Sequence, residues 1–147
     1  MTNENQFAGV QGWMIARLGA FPVNLSHPSV SSLRYAVDLL RDQQKLGIFP
    51  EGGIVRDQPL RPFKSGLARL VLQAEATAKK ELVVPIIPIA LHYTPSASAR
   101  AKISIYISSP LYSHEYRKKT SKQTAQAITD ALYEAILQNL KLASLRQ

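Results

Sequence analysis

The apolar run from Leu82 to Leu91 constrains the fold more than any other feature, because polar and apolar side chains do not alternate within it. Its ten residues fall far short of the roughly 20 that a helix needs to cross a bilayer. A run of this kind is typical of a parallel strand whose two faces are both covered by helices. Pro85 and Pro88 lack an amide donor and weaken that interpretation. The run therefore predicts a central strand over residues 82–92.

Apolar periodicity predicts that helices and strands alternate along the rest of the chain. Spacings of three and four indicate helices over residues 7–18, from 28 onward, over 64–80 and over 122–142. Shorter segments predict strands at 20–25, 46–49 and 102–108. This order predicts an α/β fold in a single domain over residues 1–147, with a largely parallel central sheet and helices on both faces.

Three of the predicted helices have an apolar stripe that should face the core. The stripe of the second helix is Val30, Leu33, Val37 and Leu40; that of the third is Leu67, Leu70, Val71 and Ala74; and that of the last is Ala125, Ile128, Leu132, Ile136 and Leu140. Residues 102–108 alternate instead, with three isoleucines on one face, and this predicts a strand.

Composition narrows the classes of partner. The net charge is +8, and most of the excess lies in residues 51–147, so an acidic partner is expected. Phosphate compounds, anionic lipid, acidic carrier proteins and nucleic acids all qualify by charge, but the chain has no RNA-binding aromatic signature and no zinc spacing. With no cysteine, disulfides and thiolate metal sites are excluded. The first residues lack a basic and apolar secretory signal, which predicts a location inside the cell.

The segment from residue 48 to residue 66 carries the chemistry. A carboxylate and two glycines follow the predicted strand at 46–49, and three cations precede the next helix. These residues are Glu51, Gly52, Gly53, Arg56, Arg61 and Lys64. Glycines let backbone approach a ligand, guanidinium groups bind phosphate, and a carboxylate accepts from hydroxyls or orients the cations. The pattern suits a phosphate monoester that also has hydroxyl groups; a surface turn with mixed charges is the alternative.

This segment resembles the third motif of the glycerolipid acyltransferases, the lysophosphatidate acyltransferase group. In that motif Phe-Pro-Glu-Gly, here residues 49–52, is followed by basic residues and then by Pro-Phe-Lys-x-Gly, here 62–66. Residues 12–23 resemble the second motif and the helix before it, and residues 84–90 resemble the fourth. The resemblance runs from about Gly12 to Pro110 and implies a glycerol-phosphate acyltransferase-like fold. It also implies that Glu51, Gly52, Gly53, Arg56 and Lys64 bind substrate.

The chain departs from the family pattern at its most important motif. The first motif, Asn-His-x-x-x-x-Asp, supplies the catalytic base and should precede Gly12, but no histidine of this sequence has an aspartate five residues later. No catalytic residue is therefore assigned, and the fold is expected to be incomplete at its N-terminal end. Asn24 and Leu25 stand where the family has an acidic residue and a phosphate-binding arginine, and residues 53–55 replace the usual Thr-Arg-Ser.

A complete family member transfers an acyl group from a thioester of coenzyme A or acyl carrier protein to a hydroxyl of lysophosphatidate or a related glycerophospholipid. The resemblance implies that reaction in phospholipid synthesis, with the acyl donor as a co-substrate and no metal or bound cofactor. Without the His-Asp pair, this chain alone is expected to be weakly active or inactive. It is either an acyltransferase whose sequence starts late or a short non-catalytic paralogue that binds anionic lipid or an acyl carrier. A nucleic-acid binder has charge alone in its favour.

The resemblance also implies contact with a membrane surface, which places the protein peripherally on the cytoplasmic face. Phe7, Val10, Trp13 and Met14 are the predicted interfacial residues, helped by the cations Arg117, Lys118, Lys119 and Lys122. Packing of the same N-terminal stripe on the sheet is the alternative.

Overall fold

The computed structural model describes residues 2–3, 13–14, 17, 19–20, 22–23, 29–52, 60–94 and 102–145. Its elements are β1 (Thr2–Asn3), β2 (Pro22–Val23), α1 (Val30–Arg41), α2 (Gly66–Thr77), β3 (Ile89–Thr94), β4 (Lys102–Ile107), a 3-10 helix (Ser113–Tyr116) and α3 (Ser121–Leu145). Trp13, Met14 and Arg17 have helical backbone, as the helix predicted at 7–18 requires. The rest of that helix lies outside the described residues.

Helix α1 begins because Ser29 caps it. The Ser29 hydroxyl oxygen accepts from the backbone N–H of Ser32 at 3.1 Å, which satisfies one of the N–H groups that a helix start leaves without a partner. Ala36, Val37 and Leu40 are buried, and Leu33 packs against the core. The prediction for Val30 is wrong: it is 71% exposed, because it is the first residue of the helix and precedes the buried turns.

The stripes predicted for the other two helices are largely confirmed. Helix α2 buries Ala68, Leu70, Val71 and Ala74, and Leu67 packs against the core. In α3, Ala125, Ile128, Leu132 and Ile136 are buried, with Leu140 packed beside them. Helix α1 packs on α2, α2 on α3, and α3 on both β3 and β4. The three helices and the sheet side that faces α3 thus enclose one core.

Strands β3 and β4 form an antiparallel pair in which Ile89 lies opposite Ile107, Leu91 opposite Ile105 and Tyr93 opposite Ile103. Within the described residues the parallel pairing is confined to β1 and β2, where Thr2 lies opposite Pro22 and Asn3 opposite Val23. The strand predicted at 102–108 is confirmed as β4. The largely parallel central sheet stays a prediction.

The central strand predicted over residues 82–92 is confirmed only from Ile89, where β3 begins. Along the run, buried and exposed side chains alternate. Val84, Ile86, Pro88 and Ala90 are buried, whereas Val83, Ile87 and Ile89 are each about half exposed. Only its last residues pair with β4, and Ile86 forms a single bridge to Leu111. Both faces of the run are apolar, and in the described part of the chain helices cover one of them.

The strand predicted at 46–49 is wrong. These residues adopt no regular structure, and no described strand pairs with them. Leu46 and Ile48 pack against the core, but Phe49 is 74% exposed. In the described part of the chain, this segment therefore lies on the core without a strand beside it.

Candidate functional site

The polar residues of the candidate site stand on a tight turn over Phe49–Gly52. The backbone N–H of Gly52 donates to the carbonyl oxygen of Phe49 at 3.4 Å. Pro50 fixes its own φ at the second position of the turn. Gly52 closes the turn with a φ of 67°, a conformation that side-chain-bearing residues rarely adopt. The order Pro, Glu, Gly thus sets the turn and leaves the Glu51 side chain on its surface.

A second segment, residues 60–64, lies against this turn. The backbone N–H of Lys64 donates to the carbonyl oxygen of Pro50 at 3.0 Å. The backbone N–H of Arg61 donates to Oε2 of Glu51 at 3.3 Å. Two hydrogen bonds therefore hold together segments that are ten or more residues apart, and Glu51 orients the segment that carries the cations.

The side chain of Lys64 lies directly over Gly52. A β-carbon added to Gly52 would stand 3.0 Å from Cε of Lys64, 3.2 Å from Cδ and 3.3 Å from Nζ. A side chain at position 52 would crowd the end of Lys64, which would have to shift by a few tenths of an ångström. The glycine therefore permits both the positive φ and the close approach of Lys64.

The structure brings together three of the five residues assigned to substrate binding. Glu51, Gly52 and Lys64 lie on the two hydrogen-bonded segments, and Lys64 is exposed, as an anion-binding ammonium group must be. Gly53 and Arg56 lie outside the described residues, so their roles stay predictions. Arg61 is exposed and joins the site through its backbone.

An open cavity of about 1200 Å³ extends from this turn. Phe49, Glu51 and Phe63 are among its lining residues, as are Ile87, Ile89 and Tyr93. The turn that carries Glu51, with Lys64 lying over its Gly52, thus adjoins a largely apolar cavity. This combination suits a ligand with an anionic head and an apolar chain.

The cavity continues onto the outer face of the β3–β4 pair, which consists of Ile89, Leu91, Tyr93, Ile103, Ile105 and Ile107. The register makes them three direct cross-strand pairs on one side of the sheet. The three isoleucines of β4 are 54 to 68% exposed. A contiguous apolar patch of this kind usually marks a surface where something binds.

Sequence reasoning missed a polar contact that fixes the run at 82–92. Oε1 of Glu75 accepts from the backbone N–H of Val84 at 3.0 Å, and Oε2 accepts a short hydrogen bond from the Ser113 hydroxyl. Glu75 thereby ties α2 to the extended run and to the 3-10 helix. No spacing in the sequence signals this contact, because its residues lie far apart in the chain.

The described ranges hold no group of three histidine, aspartate or glutamate side chains placed to bind a metal ion. The prediction that the protein uses no metal or bound cofactor remains a prediction.

Comparison with known proteins defines the class to which this fold and site belong. The family model described as Acyltransferase matches residues 1–92, which include the turn, the Lys64 segment and the apolar run. The chain belongs to the acyltransferase family. The match confirms the resemblance seen in the motifs.

A curated relative makes the likeness more specific. The chain is 28% identical over 129 residues to a protein of Bacillus subtilis (strain 168) named 1-acyl-sn-glycerol-3-phosphate acyltransferase. The aligned part covers 85% of this chain and 59% of the relative, so the chain spans somewhat more than half of that protein. No solved structure matches the chain.

Proposed function

We propose that this chain binds the acceptor in the acylation of lysophosphatidate or a closely related glycerophospholipid during phospholipid synthesis. Family membership supports the class of reaction, and the name of the Bacillus subtilis relative supports the acceptor. The observation that carries the proposal is the seating of Lys64 on Gly52 beside Glu51. It places an exposed ammonium group on the turn whose Glu51 lines a largely apolar cavity.

The reaction needs a general base, and no residue of this chain is assigned to that role. A base takes the proton from the acceptor hydroxyl, the oxygen attacks the thioester carbonyl, and the thiol of coenzyme A or acyl carrier protein leaves with a proton. A positioned base contributes about 10²–10⁴-fold to such a step. No histidine in the sequence has an aspartate five residues after it, so we give Glu51, Gly52 and Lys64 the role of binding and orienting the acceptor and assign the base to none of them.

The first test is acceptor binding. Arg56→Ala should weaken binding of lysophosphatidate by about 1.5–3 kcal/mol, the range for a hydrogen bond to a charged group, which is roughly 10- to 150-fold in affinity. Calorimetric titration of the folded variant measures it. Arg34→Ala, which removes an exposed arginine of α1, is the matched control and should bind like the wild type. Equal affinity of Arg56→Ala and wild type would remove Arg56 from the site.

A second candidate function is binding without catalysis, as a short paralogue that holds anionic lipid or an acyl carrier. This candidate rests on the fact that the His-x-x-x-x-Asp spacing is not found in this sequence; an acyltransferase whose sequence starts late has the same feature. The 147-residue chain should then bind lysophosphatidate but transfer acyl groups at least about 10²-fold more slowly than the Bacillus subtilis relative. Single-turnover assays of both proteins with one acyl donor make the comparison. Comparable rates would show that another group in this chain acts as the base.

Contact with an anionic membrane surface on its cytoplasmic side is the third part of the proposal. No helix of the described residues is long and apolar enough to cross a bilayer. Trp13 and Met14 are more than half exposed, and the guanidinium of Arg17 lies 4.5 Å from the centre of the Trp13 ring. An exposed aromatic ring beside a cation suits the headgroup region of a membrane. The outer face of β3–β4 offers further apolar surface.

Vesicle flotation tests this contact. Trp13→Ala should bind anionic vesicles more weakly than wild type, whereas Tyr35→Ala, which removes a half-exposed ring of α1, should not. Equal flotation of Trp13→Ala and wild type would contradict an interfacial role for Trp13.

A further inference from the structure

Phe63 connects the candidate site to the C-terminal helix. Its side chain packs against the core, and its ring meets the ring of Tyr133 edge-on, with centroids 5.3 Å apart and an interplanar angle of 77°. Edge-to-face geometry is a preferred arrangement of aromatic pairs and stabilises them beyond the burial of their area. Tyr133 lies in α3, outside the residues that the family model matches.

Phe63 is covalently bonded to Lys64, the next residue, so a shift of the Phe63 backbone would also move Lys64. Residues 60–64 belong to neither a helix nor a strand. Their hydrogen bonds described above go to the turn, from Lys64 to Pro50 and from Arg61 to Glu51. The turn and the Lys64 segment therefore hold each other, and Phe63, with Leu60, attaches this unit to the core.

We propose that Tyr133 is a positioning residue of the candidate site. Its ring holds Phe63, and through Phe63 it keeps Lys64 over Gly52 in the arrangement that meets an anionic headgroup. The ligand in this statement rests on the proposed function, whereas the placement of Lys64 is a property of the chain without ligand. The C-terminal helix then belongs to the functional unit, although it lies beyond the matched residues 1–92.

Hydrogen exchange of the Lys64 amide in the ligand-free, full-length chain tests the placement. Tyr133→Leu removes the ring and keeps apolar bulk, and it should speed exchange of this amide by about 3–10-fold. Tyr133→Phe keeps the ring and should exchange like the wild type. Ile128→Val, which weakens the core from the same helix, should leave the Lys64 amide unchanged relative to the amides of α2. Unchanged exchange in Tyr133→Leu, or an equal change in Ile128→Val, overturns the proposal.

Titration with lysophosphatidate separates this proposal from the proposed function. Tyr133→Leu should bind about 3–10-fold more weakly than wild type, with Tyr133→Phe unchanged. If the wild-type chain fails to bind lysophosphatidate and the Lys64 amide still exchanges faster in Tyr133→Leu, the proposed ligand is wrong and the positioning role is supported. Equal affinity in wild type and Tyr133→Leu overturns the link between positioning and binding.

Discussion

The two faces of the β3–β4 pair differ both in composition and in surroundings, and the more apolar face is the one that the described helices leave uncovered. On the inner face Ala90 is buried and Tyr106 packs against the core, with α3 lying against both strands. On the outer face three cross-strand pairs of apolar side chains are largely exposed. Apolarity alone therefore did not decide burial; coverage by a helix did. Ile89, Leu91 and Tyr93 of the outer face line the cavity that also includes Glu51, so among the described residues the side that helices leave uncovered is also the side that adjoins the candidate site.

The largest difference in stability should appear between truncation of a buried isoleucine on the covered side and truncation of an isoleucine on the outer face. Ile128→Ala in α3 removes a fully buried side chain and should lower the free energy of unfolding by about 2–5 kcal/mol, because it loses apolar burial and leaves a cavity. Ile105→Ala on the outer face should cost less than about 1 kcal/mol, the scale of a cross-strand pair. Urea unfolding of the two variants measures both. Equal losses would show that something covers the outer face in solution.

Removing the hydrogen bonds that Glu75 accepts should lower the free energy of unfolding by an intermediate amount. Glu75→Ala leaves the Val84 N–H and the Ser113 hydroxyl without their acceptor and should lower the free energy of unfolding by about 1–3 kcal/mol. Glu81→Ala, at an exposed neighbouring carboxylate, is the control and should stay within about 0.5 kcal/mol of wild type. Thermal unfolding at neutral pH compares them. A neutral result for Glu75→Ala would mean that water replaces the carboxylate.

Gly52→Ala tests how much the Phe49–Gly52 turn, on the open side, contributes to stability and to ligand affinity. Alanine at a φ of 67° costs about 1–2 kcal/mol, and its methyl group would push Lys64 aside, so lysophosphatidate affinity should fall together with the unfolding free energy. Gly47→Ala is the matched control, because a β-carbon there meets nothing within 4 Å. Loss of stability without loss of affinity would separate the turn from ligand binding.

The sequence predicted the covered side better than the open side. Helices α2 and α3 have strong periodicity, and their buried residues followed from it. The alternation of residues 102–108 located strand β4, but its three isoleucines lie on the exposed face. The strand at 46–49 was wrong because an apolar segment can lie on a core without a strand beside it. The exposed outer face could not be predicted, because a run such as 82–92 shows that both faces are apolar and not which one is covered. The contacts of Glu75 with Ser113 and of Phe63 with Tyr133 depend on tertiary packing that no local pattern encodes.

Binding of two ligands that differ only in their phosphate tests most directly whether the turn recognises an anionic headgroup. Lysophosphatidate should bind the wild-type chain at least about 10-fold more tightly than the monoacylglycerol with the same acyl chain, because a hydrogen bond to a charged group contributes about 1.5–3 kcal/mol. Lys64→Met, which keeps most of the apolar stem over Gly52 and removes the charge, should reduce that difference. Equal affinities for the two ligands in the wild type, or an undiminished difference in Lys64→Met, would contradict phosphate binding by Lys64 at this turn.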